Sequence, residues 1–250
     1  MDKNPFLIYI LPAYNEQEII GNSIEKIRKH LTNDKYFIIV VDNASTDDTY
    51  NIVMGIASKS SDILLLYTKN KGIGYAYYIG IKEAVNNFST NKNAYIILSA
   101  SDLPFGFTDI EILKNNNLKI NYTNSIIIGS KFITKRNIKY RGYTRSIGSY
   151  VFRVIRRMML RINTKDTQGT IIFPLLFIQD ILYKIKSRSY FFTTELIYFA
   201  EKKKKNIIEV PVQLEPESRL SKVSLLLDGF SMLKDMFILR LRDIFFLSDK

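Results

Sequence analysis

The stretch Phe6-Leu7-Ile8-Tyr9-Ile10-Leu11-Pro12-Ala13-Tyr14-Asn15-Glu16 decides how the chain folds. Its apolar run is too short for a helix and ends in Pro-Ala-Tyr-Asn-Glu, after which Ile19, Ile20, Ile24, Ile27 and Leu31 recur at helical spacing. The order is therefore strand, loop, helix. Phe6 to Ala13 also resembles the core of a secretory signal, but it is only eight residues long and runs straight into polar Tyr14-Asn15-Glu16. A buried strand is the better reading.

The pattern repeats. Phe37 to Val41 is a second apolar strand, closed by Asp42-Asn43-Ala44-Ser45-Thr46-Asp47-Asp48-Thr49. Ser45 or Thr46 is expected to cap the next helix, with Asp47 and Asp48 in its first turn, where the helix dipole favours anions. Ile63 to Tyr67 forms a third strand, and Lys69-Asn70-Lys71-Gly72-Ile73-Gly74 leads into a helix ending near Asn87. Tyr95 to Leu98 and Ile126 to Ile128 are further strands. Apolar strands alternating with helices imply an α/β fold, a Rossmann-like, mostly parallel sheet with helices on both faces. Ligands bind such sheets beyond the carboxyl ends of the strands, where these polar loops fall.

Composition excludes several classes. With 250 residues, 46% of them apolar, the chain suits one domain and a tail. It has no cysteine, which removes disulfides and thiolate metal sites and fits a reducing compartment, so a cytoplasmic location is expected. The longest charge-free run, Thr167 to Gln179, has thirteen residues, short of the roughly 18 needed to span a bilayer. The lone histidine, His30, sits on the first helix away from the polar loops and reads as a surface residue, which leaves triad chemistry without its base. Gly72-Ile73-Gly74 continues as Tyr75-Ala76-Tyr77, so the dinucleotide fingerprint is missing.

Charge is concentrated in one place. The net charge is +12, and Lys131 to Lys165 holds eleven Lys or Arg and no Asp or Glu, which argues for a dedicated anionic partner. Laid out as a helix, 145–162 puts Ile147, Val151, Val154, Ile155, Met158 and Ile162 on one face and Arg153, Arg156, Arg157 and Arg161 on the other. Two readings stand side by side: a helix at an anionic membrane surface, or a core helix with a solvated Arg face. Tyr140, Tyr143, Tyr150 and Phe152 form no nucleic-acid motif, so nucleic acid is not expected as a partner. The tail from Ser221 reads as helical with a break at Gly229. It carries one apolar stripe of Phe230, Leu233, Phe237, Leu241 and Ile244 and a second of Met232, Met236, Leu239 and Phe246. A helix needs one stripe to pack on its own domain; the other faces lipid, a second copy of the chain, or a deeper groove.

Taken together, Leu11-Pro12-Ala13-Tyr14-Asn15-Glu16, Val41 to Thr49 and Asn70-Lys71-Gly72-Ile73-Gly74 resemble the donor half of inverting family 2 glycosyltransferases, which have the GT-A fold. Lys165-Asp166-Thr167-Gln168-Gly169, Thr194-Glu195-Leu196, Glu209-Val210-Pro211-Val212 and Arg219-Leu220-Ser221-Lys222 are similar to later motifs of the dolichyl-phosphate glucosyl- and mannosyltransferase branch. The resemblance implies a glycosyltransferase domain over 1–220, with a donor half at 1–130 and an acceptor and membrane-facing segment at 131–165, followed by a helical tail at 221–250. It implies that Pro12, Tyr14, Asn15, Glu16, Asp42, Asn43, Asn70 and Gly72 hold the nucleotide of a nucleotide-diphosphate sugar, with Arg219 and Lys222 on its diphosphate. It places Lys131, Arg145 and Gln168 at the acceptor.

One motif departs from that pattern. At Ser99-Ala100-Ser101-Asp102-Leu103 the family carries Asp-x-Asp for a divalent metal, and here Ala100 replaces the first acid. Asp102 remains as the implied ligand for Mg²⁺ or Mn²⁺ and as a catalytic residue, with Asp166 and Glu195 the carboxylates available as a base. The leading expectation is sugar transfer to a polyprenyl or dolichyl phosphate by an enzyme held peripherally on an anionic membrane, with self-association through the C-terminal helix as a further possibility. The alternatives are transfer to a glycan or other hydroxyl acceptor, and a non-catalytic module that binds anionic membranes or nucleic acid.

Overall fold

The structure, a computed structural model, describes residues 5–114, 124–131, 143–212 and 225–246. Seven strands, β1 (Phe6–Ala13), β2 (Lys35–Asp42), β3 (Ile63–Tyr67), β4 (Ala94–Leu98), β5 (Ser125–Ser130), β6 (Ile171–Pro174) and β7 (Asn206–Pro211), form one sheet in the order β3-β2-β1-β4-β6-β5-β7. The β1–β2, β1–β4, β2–β3 and β5–β7 pairs are parallel, and β6 lies antiparallel between β4 and β5. The mostly parallel α/β sheet expected from the sequence is present. Neither β6 nor β7 was legible as a strand. The first has four residues inside a long apolar run, and the second is an edge strand with only one buried residue.

The helices are α1 (Ile20–His30), α2 (Thr49–Ala57), α3 (Ile73–Phe88), α4 (Thr108–Lys114), α5 (Tyr143–Leu160), α6 (Leu175–Gln179), α7 (Phe192–Lys202) and α8 (Leu225–Phe246). Alternate residues of β1 feed two cores, as the period of a strand requires. Leu7, Tyr9 and Leu11 pack with Ile20, Ile24 and Ile27 of α1, whereas Ile8 and Ile10 pack with Ala76, Ile81 and Ala84 of α3 and with Leu196 of α7. Each fully buried Leu or Ile contributes about 2 kcal/mol.

Four local expectations need correction. Helix α2 starts at Thr49, so Asp47 and Asp48 precede its first turn and neither Ser45 nor Thr46 caps it; Ser45 is used elsewhere, its Oγ accepting the Asn15 N–H. His30 is half-buried, its ring stacked on Phe107 at 4.1 Å between centroids. Helix α8 continues through Gly229, because one glycine costs only about 1 kcal/mol where packing holds the helix.

The fourth concerns α5, for which a membrane-surface helix and a core helix with a solvated Arg face were both open. Val151, Val154 and Met158 are exposed, Met158 at 77%, while Arg156 is buried at 3% beside half-buried Phe152, Ile155 and Met159. An apolar face packed on the core with a solvated Arg face is therefore not what forms. Of the four arginines, only Arg157 and Arg161 are exposed. In α8, Met236 and Leu239 are buried and Met232 is half-buried, whereas Phe230, Phe237, Leu241 and Ile244 face outward. Among the described residues no helix is long and apolar enough to cross a membrane.

Candidate active site

The carboxyl ends of β1 and β2 bring two loops together. Asp42, 1% exposed, uses Oδ1 to accept the Ser45 N–H at 3.0 Å, and its Oδ2 is buried with no partner. A buried carboxylate oxygen left open at a strand end suits a ligand donor such as a ribose hydroxyl or a base N–H. Asn15 adopts φ 53°, a left-handed conformation that Asn tolerates, and its Oδ1 accepts the Thr46 N–H at 2.8 Å. The Glu16 N–H donates to Thr49 Oγ1 at 2.8 Å. Asn15 and the Glu16 backbone thus join the loops to each other. Lys71 Nζ lies 5.1 Å from the Tyr14 ring centroid and 3.2 Å from its hydroxyl.

Asn43 ties this pair to a third loop. Its Nδ2 donates to the Asn70 carbonyl at 2.6 Å, and its Oδ1 accepts the Gly72 N–H at 2.8 Å. The Gly72 amide, expected to face the donor, is taken by Asn43, so Asn43 and Gly72 shape the turn. Glycine is required there. Gly72 has φ 134°, and a Cβ would stand 2.7 Å from the Arg188 carbonyl oxygen, while one at Gly74 would stand 2.4 Å from the Arg188 carbonyl carbon. Pro12 is buried in β1 opposite Val41.

Asp102 follows β4 in a turn closed by the Leu103 N–H on the Ala100 carbonyl, with Leu103 at φ 49°. The carboxylate is exposed. Its charge reaches the adjoining cavity, since the Tyr77 phenol is pushed well above its ordinary range by burial and, next, by Asp102. No cluster of three metal-ligating side chains occurs among the described residues. A single carboxylate fits a hard divalent ion whose remaining ligands are phosphate oxygens and water.

The cavity beside it measures about 360 Å³ and runs from Ala100, Pro104 and Tyr77 to Phe152 of α5 and Met232 of α8. Lys131, Arg153, Arg156 and Lys165 line it, against one acid, Asp166. Asp166, 1% exposed, accepts the Lys131 N–H on Oδ2 at 3.2 Å and the Gln168 N–H on Oδ1 at 3.0 Å, and Lys131 Nζ lies 3.6 Å from Oδ1.

The segment carrying Asp166 is pinned by charges from distant elements. Glu201 of α7 accepts the N–H groups of Asn163 and Thr164, and Glu209 of β7 accepts those of Lys165 and Asp166. From inside, Arg156 donates to the carbonyls of Thr164 and Lys165 and to Thr167 Oγ1, its proton affinity lowered by burial while Asp166, Glu201 and Glu209 pull the other way. Gln168 Nε2 donates to the Tyr190 carbonyl and to Thr193 Oγ1. The sequence offered a sign of Glu209, inside a quoted motif, but none of the roles of Glu201 or Arg156, which depend on partners in other elements.

Glu195 does not line the cavity and is 1% exposed. Its Oε2 accepts the N–H groups of Lys186 and Ser187, and its Oε1 accepts from Arg242 of α8 at 2.9 Å. With both oxygens engaged, it is not placed to serve as a base. Arg145 belongs to α5, but its side chain lies outside the described residues, as do Arg219 and Lys222.

A sheet of this order, with polar loops at its carboxyl edge and a cationic cavity beside them, has the architecture of a GT-A fold. The chain belongs to the family described as "Glycosyl transferase family 2", whose model matches residues 9–171. It is 24% identical to the UDP-N-acetylglucosamine–dolichyl-phosphate N-acetylglucosaminyltransferase of Methanococcus voltae, covering 94% of this chain and 96% of that one. It is 28% identical to the dolichyl-phosphate beta-glucosyltransferase of Dictyostelium discoideum, covering 96% and 77%. In fold it is similar to glucosyl-3-phosphoglycerate synthase of Mycobacterium tuberculosis in complex with Mn²⁺, UDP and glucosyl-3-phosphoglycerate. There the TM-score is 0.65 at 15% identity, covering 95% of this chain and 80% of that one.

Proposed function

We propose that this enzyme is an inverting transferase that moves a sugar from a nucleotide-diphosphate donor to a polyprenyl phosphate at the membrane surface. The observation that carries the reading is the cavity, which sets four cations around one ion-paired acid and is bordered by two helices with outward apolar side chains. A hydroxyl acceptor needs a base to take its proton. A phosphate monoester, with a second ionisation near pH ~6, is already a nucleophile at neutral pH and needs cations and a place for its lipid. The names of the two dolichyl-phosphate relatives agree with that acceptor.

In this scheme Asp42 accepts from the nucleoside, and Tyr14 with Lys71 borders it. Lys131 and Arg153 hold the acceptor phosphate, and Asp166 keeps the Lys131 ammonium in place. Asp102 would hold Mg²⁺ or Mn²⁺, which supplies charge neutralisation for the departing nucleoside diphosphate. The exposed Val151, Val154, Met158, Phe230 and Phe237 enter the acyl boundary, with Arg157 and Arg161 toward anionic headgroups. The absence of cysteine suits a cytoplasmic location on that surface.

The test is transfer from UDP- and GDP-sugars to a short-chain polyprenyl phosphate, to the matching alcohol, and to oligosaccharides. Product with the phosphate alone, and an acceptor KM raised at least tenfold in Lys131→Ala, is expected. Product with the alcohol or a glycan, abolished by Asp166→Asn with binding intact, would replace this reading with the hydroxyl acceptor. Flotation with anionic vesicles should be lost in the double variant Met158→Glu, Phe237→Glu. Retained flotation, or a wild-type dimer that the double variant dissociates, would assign the apolar face to a second copy of the chain.

A further inference from the structure

The segment 185–190 touches both halves of the site. The Arg188 carbonyl accepts the Tyr75 N–H at 3.2 Å, and its backbone fills the space that Gly72 and Gly74 leave at the start of α3. The Arg188 guanidinium lies 3.8 Å from the Tyr78 ring centroid. Ser189 and Tyr190 line the cavity, and the Tyr190 carbonyl accepts from Gln168 of the acceptor segment at 3.0 Å. The height of the Asn70–Gly72 turn, to which Asn43 is bonded next to Asp42, therefore depends on where this segment sits.

Its position is set from behind by α7 and α8. Glu195 accepts the Lys186 and Ser187 N–H groups at 3.0 and 2.8 Å, and Arg242 links Glu195 to the Lys184 carbonyl with bonds of 2.9 and 2.7 Å. Asp235 accepts from the hydroxyls of Ser187 and Ser189 at 2.8 and 2.7 Å. Charged hydrogen bonds to a nearly buried carboxylate hold geometry more tightly than neutral contacts. We infer that Glu195, Arg242 and Asp235 are positioning residues that hold the 185–190 segment, so that the C-terminal helix sets the donor turn in addition to its outward apolar contact. The inference rests on the nucleotide-sugar reading of the donor loops.

Helix α8 supplies its own control, since Asp243 pairs with Lys202 of α7 without touching the segment. Binding of UDP and GDP with Mn²⁺ is measured by calorimetry, and donor and acceptor KM by transfer, for wild type, Arg242→Ala, Arg242→Lys, Asp235→Ala and Asp243→Ala. Arg242→Ala and Asp235→Ala are expected to weaken the bound nucleotide and raise donor KM about tenfold, with Arg242→Lys intermediate because an ammonium cannot span both acceptors. Asp243→Ala is expected to stay within twofold of wild type even if its Tm falls. Nucleotide affinity unchanged in Arg242→Ala and Asp235→Ala, or lost equally in Asp243→Ala, overturns the inference. Wild-type protein that binds neither nucleotide overturns the donor reading itself and this inference with it.

Discussion

The donor loops and the acceptor segment lie at the same edge of one sheet but are held by different means. Around Tyr14–Gln17 and Asp42–Thr49 the ties are short side chains from two neighbouring strand ends: Asn15 to Thr46, Ser45 to Asn15, Thr49 to Glu16. Around 163–168 the backbone is gripped by Glu201, Glu209 and Arg156, which come from α7, β7 and α5. Among the described residues the buried charged side chains are Asp42, Asp109, Lys131, Arg156, Asp166 and Glu195, and only Asp42 belongs to the donor loops. Hydrogen bonds at partly exposed sites are worth about 1 kcal/mol each and are lost singly, whereas unpairing a buried charge costs about 3–5 kcal/mol. The ties between these two donor loops should thus weaken by degrees under mutation, and the 163–168 segment should fail as a unit.

Four measurements sharpen or break that contrast. At the seam, Asp102→Ala should lower transfer by about 10²–10³-fold, the loss typical of removing one stabiliser of developing charge. Equal activity in EDTA and in Mg²⁺ or Mn²⁺ would remove the metal from the scheme. On the acceptor side, Arg156→Met should lower unfolding free energy by about 3–5 kcal/mol in denaturant titration, because the Thr164 and Lys165 carbonyls and Thr167 Oγ1 lose their charged donor. A loss under 1 kcal/mol would refute the unit behaviour.

A pH titration of stability tests a further buried charge behind β5. Burial pushes Asp109 up to about 6. An unfolded Asp titrates near ~3.9, so the stabilising contribution of the neutral carboxyl is complete below that pH and lost as pH rises through about 6. Asp109→Asn should flatten this segment of the stability curve, removing a change on the order of 2–3 kcal/mol. The smallest effect belongs to the donor side. Asn43→Ala should cost about 1–2 kcal/mol and weaken nucleotide binding severalfold while leaving acceptor KM unchanged. A change in acceptor KM as large as that in donor KM would show that the two sides are not separable.

The run Leu7 to Leu11, the helix behind it and the four strands that follow were legible because a buried parallel strand must be continuously apolar and its covering helix must repeat near 3.6 residues. These are properties of single segments, and the donor loops follow from them, since each begins where an apolar run stops. The sequence likewise located the cationic stretch after β5 and the two stripes of the tail. It did not determine which stripe of α8 or which face of α5 turns inward. For α5 the periodicity left two poses open, and the structure puts Val151, Val154 and Met158 outside and Arg156 inside. Glu195 read as a base because a carboxylate in a motif has no visible partner until Lys186, Ser187 and Arg242 are folded around it. Whether a buried charge is reactive or structural depends on whether its hydrogen-bonding capacity is already filled, and the groups that fill it here lie up to 47 residues away, where only the tertiary structure brings them into reach.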